Sequence, residues 1–105
     1  MIPRISLSGG YSISRIIKGG WHLAGDHGAI DPEQARRDMA AFVDAGITTF
    51  DCADIYTGVE LLIGRFRREY PTHAKQVQVH TKFVPDLSDL HSIDRAHVET
   101  IIDRS

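Results

Sequence analysis

Three acid–base side chains stand where predicted strands end: Asp51, Tyr56 and Lys82. Asp51 and Tyr56 belong to the stretch TTFDCADIY (48–56), in which a short apolar strand runs into a carboxylate. Lys82 stands near the end of VQVHTKF (77–83). In parallel α/β folds, active sites gather at the carboxyl ends of the strands. The three side chains are therefore candidates for one catalytic site.

The alternation along 77–83 assigns Lys82 to a polar strand face. One face carries Val77, Val79, Thr81 and Phe83, and the other carries Gln78, His80 and Lys82. We expect the apolar face to lie under helices and the polar face to point into a barrel lumen or a cleft. A buried ammonium without a counter-charge is very costly. Asp51, at the end of the neighbouring strand, is the predicted partner of Lys82.

These residue types fit proton transfer to or from oxygen. A phenol has a pKa of about 10 and is a poor acid at neutral pH. A nearby ammonium favours the phenolate and so lowers the pKa of a phenol. In this hypothesis Asp51 holds Lys82, Lys82 tunes Tyr56, and Tyr56 gives a proton to a carbonyl oxygen or takes one from an alcohol. From spacing alone, a structural ion pair beside an ordinary loop tyrosine is the alternative.

The elements that must position this site alternate between strands and helices. The pattern predicts a hairpin at Gly9-Gly10, a strand at Ile16-Ile17, strands over 47–50 and 77–83, and helices from Pro32, over 59–70 and near Asp94. Such alternation predicts βαβ units and a parallel sheet.

The helix from Pro32 is the best marked of these elements. Asp31 is its expected N-cap, Pro32 takes the first helical position, and Gln34 stands where a capping box places it. Gly46 is its expected stop.

Composition restricts the class of protein. The chain has 105 residues and a formal net charge of −2, so charge gives no reason to expect nucleic acid or an anionic membrane as a partner. Its single cysteine forms no internal disulfide, which fits a reducing compartment. The first residues lack the apolar core of a signal peptide, and no apolar run is long enough to span a bilayer. These features predict a cytoplasmic protein.

Length sets the expected domain organisation. A complete (β/α)₈ barrel takes roughly 250 residues. We therefore expect residues 1–105 to be the N-terminal part of a single barrel domain, with the hairpin, about three strands and a little over two helices. Such a piece is expected to self-associate or to need the rest of the barrel, and to be inactive alone.

Three motifs resemble the aldo-keto reductase family. GITTFDCADIYTGVELLIG (46–64) resembles its signature, HTKF (80–83) resembles its lysine motif, and IIKGGWHLAG (16–25) resembles its first strand. The resemblance implies a partial (β/α)₈ TIM barrel and the reduction of aldehydes or ketones by NADP(H), or alternatively NAD(H), without a metal. A small carbonyl compound is the implied partner.

The resemblance also implies roles for individual residues. Asp51, Tyr56 and Lys82 match three of the family's four catalytic residues, with Tyr56 as the proton donor. The implied cofactor-binding residues are Gly19, Gly20, Trp21 and Asp51.

The chain departs from the family pattern in two places. The stretch between Ala53 and Glu60 is one residue longer than the commonest form of the signature. The fourth catalytic residue, a histidine after the fourth strand, has no counterpart. Position assigns that role to none of the six histidines, which are His22, His27, His73, His80, His91 and His97.

The sequence also allows other interpretations. His80 with Asp51 or Asp54 is a weak metal-site pattern, because the ligand spacing is missing. Cys52 is either a packed thiol or a reactive one. The dinucleotide fingerprint GxGxxG is absent, which disfavours a Rossmann fold. A non-catalytic, cofactor-binding regulatory relative of the same barrel and an assembly module are the alternatives to an enzyme.

Overall fold

A computed structural model describes residues 2–25 and 28–104. His27 lies outside the described residues. The strands are β1 (Arg4–Ser8), β2 (Tyr11–Ser14), β3 (Ile17–Gly19), β4 (Thr49–Asp51) and β5 (Gln78–His80). The α-helices are α1 (Pro32–Asp44), α2 (Val59–Glu69), α3 (Pro71–Ala74) and α4 (Arg95–Arg104). Two 3-10 turns cover Trp21–Ala24 and Leu87–Asp89.

A three-stranded parallel sheet is the centre of the fold. Its strand order is β3-β4-β5, so spatial neighbours follow chain order as they do around a barrel. Helix α1 connects β3 to β4, α2 and α3 connect β4 to β5, and α1 packs against α2. The predicted βαβ units are therefore confirmed.

The core fills the space between the sheet and the two long helices. Phe50 of β4 is buried against Phe66 of α2, with ring centroids 5.9 Å apart. The other buried members come from α1, α2 and the strand ends: Ala35, Met39, Ala40, Val43, Cys52, Val59, Leu62, Ile63 and Val77. Because Phe50 points to the helices, its neighbours Thr49 and Asp51 point to the opposite face of the sheet.

The hairpin lies across that opposite face at the amino-terminal end of the parallel strands. Gly9 and Gly10 form its turn with φ of 52° and 80°, values that suit glycine. The Gln78 side-chain amide donates to the Ser12 carbonyl at 2.6 Å, and Arg4 donates to the Thr48 hydroxyl at 2.7 Å. The hairpin therefore closes one end of the sheet.

Helix α1 begins and ends at the predicted residues, with one difference. The Asp31 carboxylate accepts from the Glu33 backbone N–H at 3.0 Å. Gln34 does not complete a capping box, because its amide nitrogen donates to Asp38 at 2.8 Å instead. At the other end Gly46 has φ 94°.

Strand β5 is shorter than predicted. The pattern indicated 77–83, whereas the strand covers Gln78–His80. Backbone bonds to the β4 side continue beyond it: the Cys52 N–H donates to the His80 carbonyl at 2.7 Å, and the Asp54 N–H to the Lys82 carbonyl at 3.2 Å. Among the described residues no strand pairs with the outer edge of β5.

Two further features differ from the sequence prediction. The helix expected over 59–70 ends at Glu69, and Pro71 starts a short helix, α3, that the sequence pattern did not predict. In α4, Ile101 is buried but Ile102 is 62% exposed, so the expected apolar face is only partly covered. Within the described part of the chain, no helix has the length and apolar character needed to cross a membrane.

Candidate active site

An ion pair joins the ends of β4 and β5. The Lys82 Nζ lies 2.8 Å from Asp51 Oδ1 and also donates to the Cys52 carbonyl at 2.7 Å. The side chains of Lys82 and Asp51 are 44% and 37% exposed, so the pair is accessible to solvent. The hydrogen bond to Asp51 raises the pKa of Lys82, which keeps the amine charged at neutral pH.

Strand register brings these two residues together. Asp51 is paired with His80 in the parallel ladder, and Lys82 follows His80 by two residues, on the same strand face. Both side chains therefore lie on the face opposite Phe50 and the helices. The predicted contact between Lys82 and Asp51 is present.

Tyr56 lies next to this pair. The Lys82 Nζ is 5.3 Å from the centroid of the Tyr56 ring. Tyr56 also contributes, after Asp51, to raising the pKa of Lys82. Its backbone is held in a turn, with its N–H donating to the Ala53 carbonyl at 3.1 Å. The structure thus brings Asp51 and Tyr56 together around the Lys82 ammonium.

Gly19, which ends β3, and Gly20, which follows it, serve different purposes. Gly20 is buried, and a Cβ added there would stand 2.7 Å from the Asp51 carbonyl oxygen and 3.2 Å from Val59 Cγ1. Gly20 is thus explained by close packing. A Cβ added at Gly19 would meet nothing within 4 Å. Since register pairs Gly19 with Asp51, open space lies beside the ion pair.

Trp21 begins the 3-10 turn that follows these glycines. Its side chain is 54% exposed, so it does not belong to the core. Trp21 follows the carboxyl end of β3. Because β3 and β4 are parallel and Gly19 pairs with Asp51, this is the end of the sheet at which Asp51 lies. A cofactor role for Gly19, Gly20 and Trp21 is still a prediction.

Asp54 and Cys52 take structural positions. Asp54 Oδ2 accepts from the Val84 N–H at 3.1 Å, which ties the loop after β4 to the segment after β5. Cys52 is fully buried, and burial raises the pKa of its thiol. The structure therefore favours a packed thiol over a reactive one.

The histidine that begins the lysine motif has a partner that spacing did not predict. His80 Nε2 lies 2.6 Å from the Tyr11 hydroxyl. His73 lies elsewhere, on α3, and pairs with Asp44 at 2.9 Å. Across residues 2–25 and 28–104, no three His, Cys, Asp or Glu side chains form a group that could hold a metal ion. The alternation along 77–83 placed His80 on the polar strand face, but nothing in the sequence linked His80 to Tyr11.

Comparisons with known proteins agree with this geometry. The model of the Aldo/keto reductase family matches residues 15–105. A 6-dehydroglucose reductase from Agrobacterium fabrum is 35% identical over 83 residues, which are 77% of this chain and 28% of that protein.

Solved structures show the same fold. Two Pseudomonas aeruginosa structures, both described as aldo-keto reductases, match with TM-scores of 0.70 and 0.65, at 23% and 25% identity. Each match covers 96% of this chain, and 40% or 41% of the other. The chain thus spans less than half the length of these relatives, and its fold is that of a partial (β/α)₈ barrel. Motif, fold and family model agree over nearly all of its residues, and the chain belongs to the aldo/keto reductase family.

Proposed function

We propose that this chain supplies the proton-transfer part of a nicotinamide-dependent carbonyl reductase. The substrate class is a small aldehyde or ketone, and NADPH is the proposed cofactor. The single observation that carries the proposal is the position of the Lys82 ammonium, which is bonded to Asp51 at 2.8 Å while lying beside the Tyr56 ring. A structural ion pair would not need a phenol next to the cation.

The proposed roles follow from charge. During reduction Tyr56 gives its hydroxyl proton to the carbonyl oxygen of the substrate and becomes a phenolate. The Lys82 ammonium stabilises that phenolate by direct attraction. Asp51 keeps the ammonium charged and fixed, so its stabilising field needs no rearrangement when the proton moves. In the reverse direction Tyr56 takes the proton of an alcohol.

We place the nicotinamide ring of the proposed cofactor next to Asp51. The open space at Gly19 lies on the same strand face as the ion pair, and the half-exposed Trp21 follows at the same sheet end. Gly19, Trp21 and Asp51 would hold the nicotinamide, which when bound supplies the hydride. Gly20 would act indirectly, by keeping β3 close to β4.

The Agrobacterium relative suggests a narrower substrate class. That protein is named for a sugar carbonyl compound, 6-dehydroglucose. We include sugar carbonyl compounds among the proposed substrates on this basis.

A chimeric barrel tests the proposal. In it, this chain replaces the aligned segment of the 6-dehydroglucose reductase, so that Asp51, Tyr56 and Lys82 come from this sequence. Tyr56→Phe is expected to lower turnover by ~10²–10⁴-fold, because general acid catalysis is lost. NADPH affinity is expected to change little, since the hydroxyl acts on the transition state.

Tyr70→Phe is the matched control. Tyr70 stacks on Phe66 on the helix side of the sheet, with ring centroids 5.4 Å apart. Tyr70→Phe also removes a phenolic hydroxyl, but one that lies away from the Asp51–Lys82 ion pair. Turnover of this variant is therefore expected to stay near that of the unmodified chimera. A Tyr56→Phe chimera with undiminished turnover would refute the proposed role. A chimera that binds NADPH but has no turnover would favour the non-catalytic regulatory relative.

A further inference from the structure

The register of β4 and β5 continues past the end of β5, but a side chain completes it. Where the two strands begin, the Gln78 N–H donates to the Thr48 carbonyl at 2.8 Å. The same register would direct the Val84 N–H to the backbone carbonyl of Asp54. The Val84 N–H instead donates to Asp54 Oδ2 at 3.1 Å. The Asp54 carboxylate therefore takes the place that its own carbonyl would have in a regular ladder.

Asp54 holds the backbone on both sides of Phe83. Its N–H donates to the Lys82 carbonyl at 3.2 Å, and its carboxylate accepts from the Val84 N–H. Lys82 itself lies outside the strand, because β5 ends at His80. The two bonds at Asp54 thus attach the backbone that carries Lys82 to the loop after β4.

The same loop carries the partners of the Lys82 ammonium. Lys82 Nζ donates to Asp51 Oδ1 at 2.8 Å and to the Cys52 carbonyl at 2.7 Å. The Tyr56 ring centroid is 5.3 Å from the same nitrogen. Asp54 stands between Asp51 and Tyr56 in the chain. The loop that supplies the carboxylate and the phenol therefore also holds the backbone from which the ammonium reaches them.

The segment has a second attachment, on the helix side of the sheet. Thr81 Oγ1 donates to Glu60 Oε1 of α2 at 2.6 Å. This bond precedes Lys82 in the chain and does not involve Asp54. Loss of the Asp54 carboxylate is therefore expected to shift the segment rather than to detach it.

The cost of burying Asp54 points to a role beyond packing. One carboxylate oxygen, Oδ1, is buried and has no hydrogen-bond partner among the described residues. An unpaired buried oxygen lowers stability, and such a group calls for an explanation. Charge does not supply it, because the groups that raise the pKa of Lys82 are Asp51 and then Tyr56, and not Asp54. Any influence of Asp54 on Lys82 therefore passes through the backbone.

We propose that Asp54 is a positioning residue, whose carboxylate holds the 82–84 segment so that the Lys82 ammonium reaches Asp51 beside Tyr56. The positioning of Lys82 requires only this chain. Its consequence for turnover rests on the proposed function of Tyr56. Misplacement of a catalytic group by about 1 Å can cost about 10²-fold in rate. The loss of one hydrogen bond at Asp54 should therefore be felt at the phenol.

Proton exchange of the lysine ammonium groups with water, measured by NMR in the 105-residue chain with isotope-labelled lysine, tests the positioning. The chain has three lysines, Lys18, Lys75 and Lys82, and Lys82→Arg identifies the Lys82 signal. Asp54→Ala removes the acceptor of the Val84 N–H and is expected to speed exchange of the Lys82 ammonium at least about threefold, because its bond to Asp51 opens more often. Asp51→Asn removes that bond directly and should speed exchange at least as much.

Asp54→Asn and Asp31→Ala are the controls. Asparagine keeps an oxygen that can accept from the Val84 N–H, so exchange of the Lys82 ammonium should stay within about twofold of wild type. Asp31→Ala removes a bond of the same kind, from the Glu33 N–H at 3.0 Å, at the start of α1. It should also leave the Lys82 ammonium unchanged.

Two results would overturn the proposal. The first is equal exchange of the Lys82 ammonium in wild type and Asp54→Ala. The second is exchange in Asp54→Asn as fast as in Asp51→Asn, because the acceptor would then not be what holds Lys82. The second result decides the question if the alanine variant fails to fold.

The chimeric reductase separates this positioning from the proposed function. Asp54→Ala is expected to lower kcat at least about tenfold, while KM for NADPH and for the carbonyl substrate stays within about threefold. Asp54→Asn should bring kcat back to within about threefold of the unmodified chimera, and Asp31→Ala should not lower it. A loss of kcat in Asp54→Ala without faster exchange at Lys82 would contradict the proposal. Faster exchange at Lys82, together with undiminished turnover in Tyr56→Phe, would refute the proposed function and support the positioning of Lys82.

Discussion

At the scale of single residues, Lys82 links the chemistry of the site to its stability. Its ammonium is bonded to Asp51 and to the Cys52 carbonyl, and the bond to Asp51 raises its pKa above the ordinary value of 10.5. A group whose pKa is raised by folding stabilises the folded state while it is protonated. That contribution is complete below pH 10.5 and is lost as the pH rises through the folded-state value.

Asp51→Asn should reveal this contribution. The partly exposed pair is expected to be worth about 0.2–1 kcal/mol in free energy of unfolding at pH 7. The difference between wild type and Asp51→Asn should be constant below pH 10.5 and shrink as the pH rises beyond it, as measured by urea unfolding. In a Lys82→Met background, Asp51→Asn should show no alkaline change. An alkaline change that survives in that background would rule out Lys82 as its source.

Gly19 and Gly20 provide a matched pair at the same sheet end. Gly20→Ala is expected to cost about 1–3 kcal/mol, because the new methyl would press on the Asp51 carbonyl and on Val59. Gly19→Ala should change stability by less than about 0.5 kcal/mol, since its methyl enters open space. Denaturant midpoints of both variants measure the difference. Equal costs at the two positions would contradict the packing described for Gly20.

At the scale of elements, the end of α1 sets where β4 begins. The Gly46 N–H donates to the Val43 carbonyl, and the Ile47 N–H donates to the Phe42 carbonyl, each at 2.9 Å. These bonds form a Schellman motif around Gly46, whose φ is 94°. The chain thereby turns into the strand that ends at Asp51, so the position of the carboxylate depends on this glycine.

Gly46→Ala is expected to lower the free energy of unfolding by about 1–2 kcal/mol, because an L side chain is strained at that φ. Gly64→Ala is the opposite control, since Gly64 lies inside α2 and an added Cβ has only Arg68 Nη1 near it, at 3.8 Å. Alanine there should raise stability by roughly 0.5–1 kcal/mol. Thermal unfolding followed by circular dichroism measures both. A stabilising Gly46→Ala would mean that the turn differs from the one described.

At the scale of the whole molecule, the chain is more open than a closed domain of its length. Its Cα radius of gyration is 15.2 Å, whereas a compact domain of 100 residues has about 13 Å. Within the described residues β3 and β5 are the two edges of the parallel sheet, and each lacks a partner on its outer side. Large apolar side chains are also exposed, among them Leu61, Leu87 and Ile102.

We expect the 105-residue chain to self-associate or to be stabilised by the rest of a barrel. Unpaired strand edges template association. Light scattering and sedimentation of the purified chain over a range of concentrations should show species larger than a monomer. Adding the remaining segment of an aldo-keto reductase barrel should replace those species with a one-to-one complex. A monodisperse monomer with a cooperative melt and micromolar NADPH affinity would contradict this expectation.

Local sequence signals predicted much of the site. Asp31, Pro32 and Gly46 mark the ends of α1 because capping and left-handed φ act within a few residues. Alternation along 77–83 assigned Lys82 to the face of Asp51 because the side-chain period of a strand is two. Those rules do not depend on the rest of the molecule, so the pairing of Asp51 with Lys82 followed from residue types and spacing.

Other features depend on which elements meet in space. Gln34 bonds to Asp38 rather than completing a capping box, and β5 ends at His80 although the alternation continues to Phe83. Gly20 is required by the nearby Asp51 carbonyl and Val59, and local sequence does not reveal that contact. Tyr11 meets His80 only because the hairpin folds back over the sheet. The sequence alone thus determined the catalytic candidates and their strand faces, through local periodicity. The tertiary structure decided their surroundings, since contacts between distant segments exist only after the elements have packed.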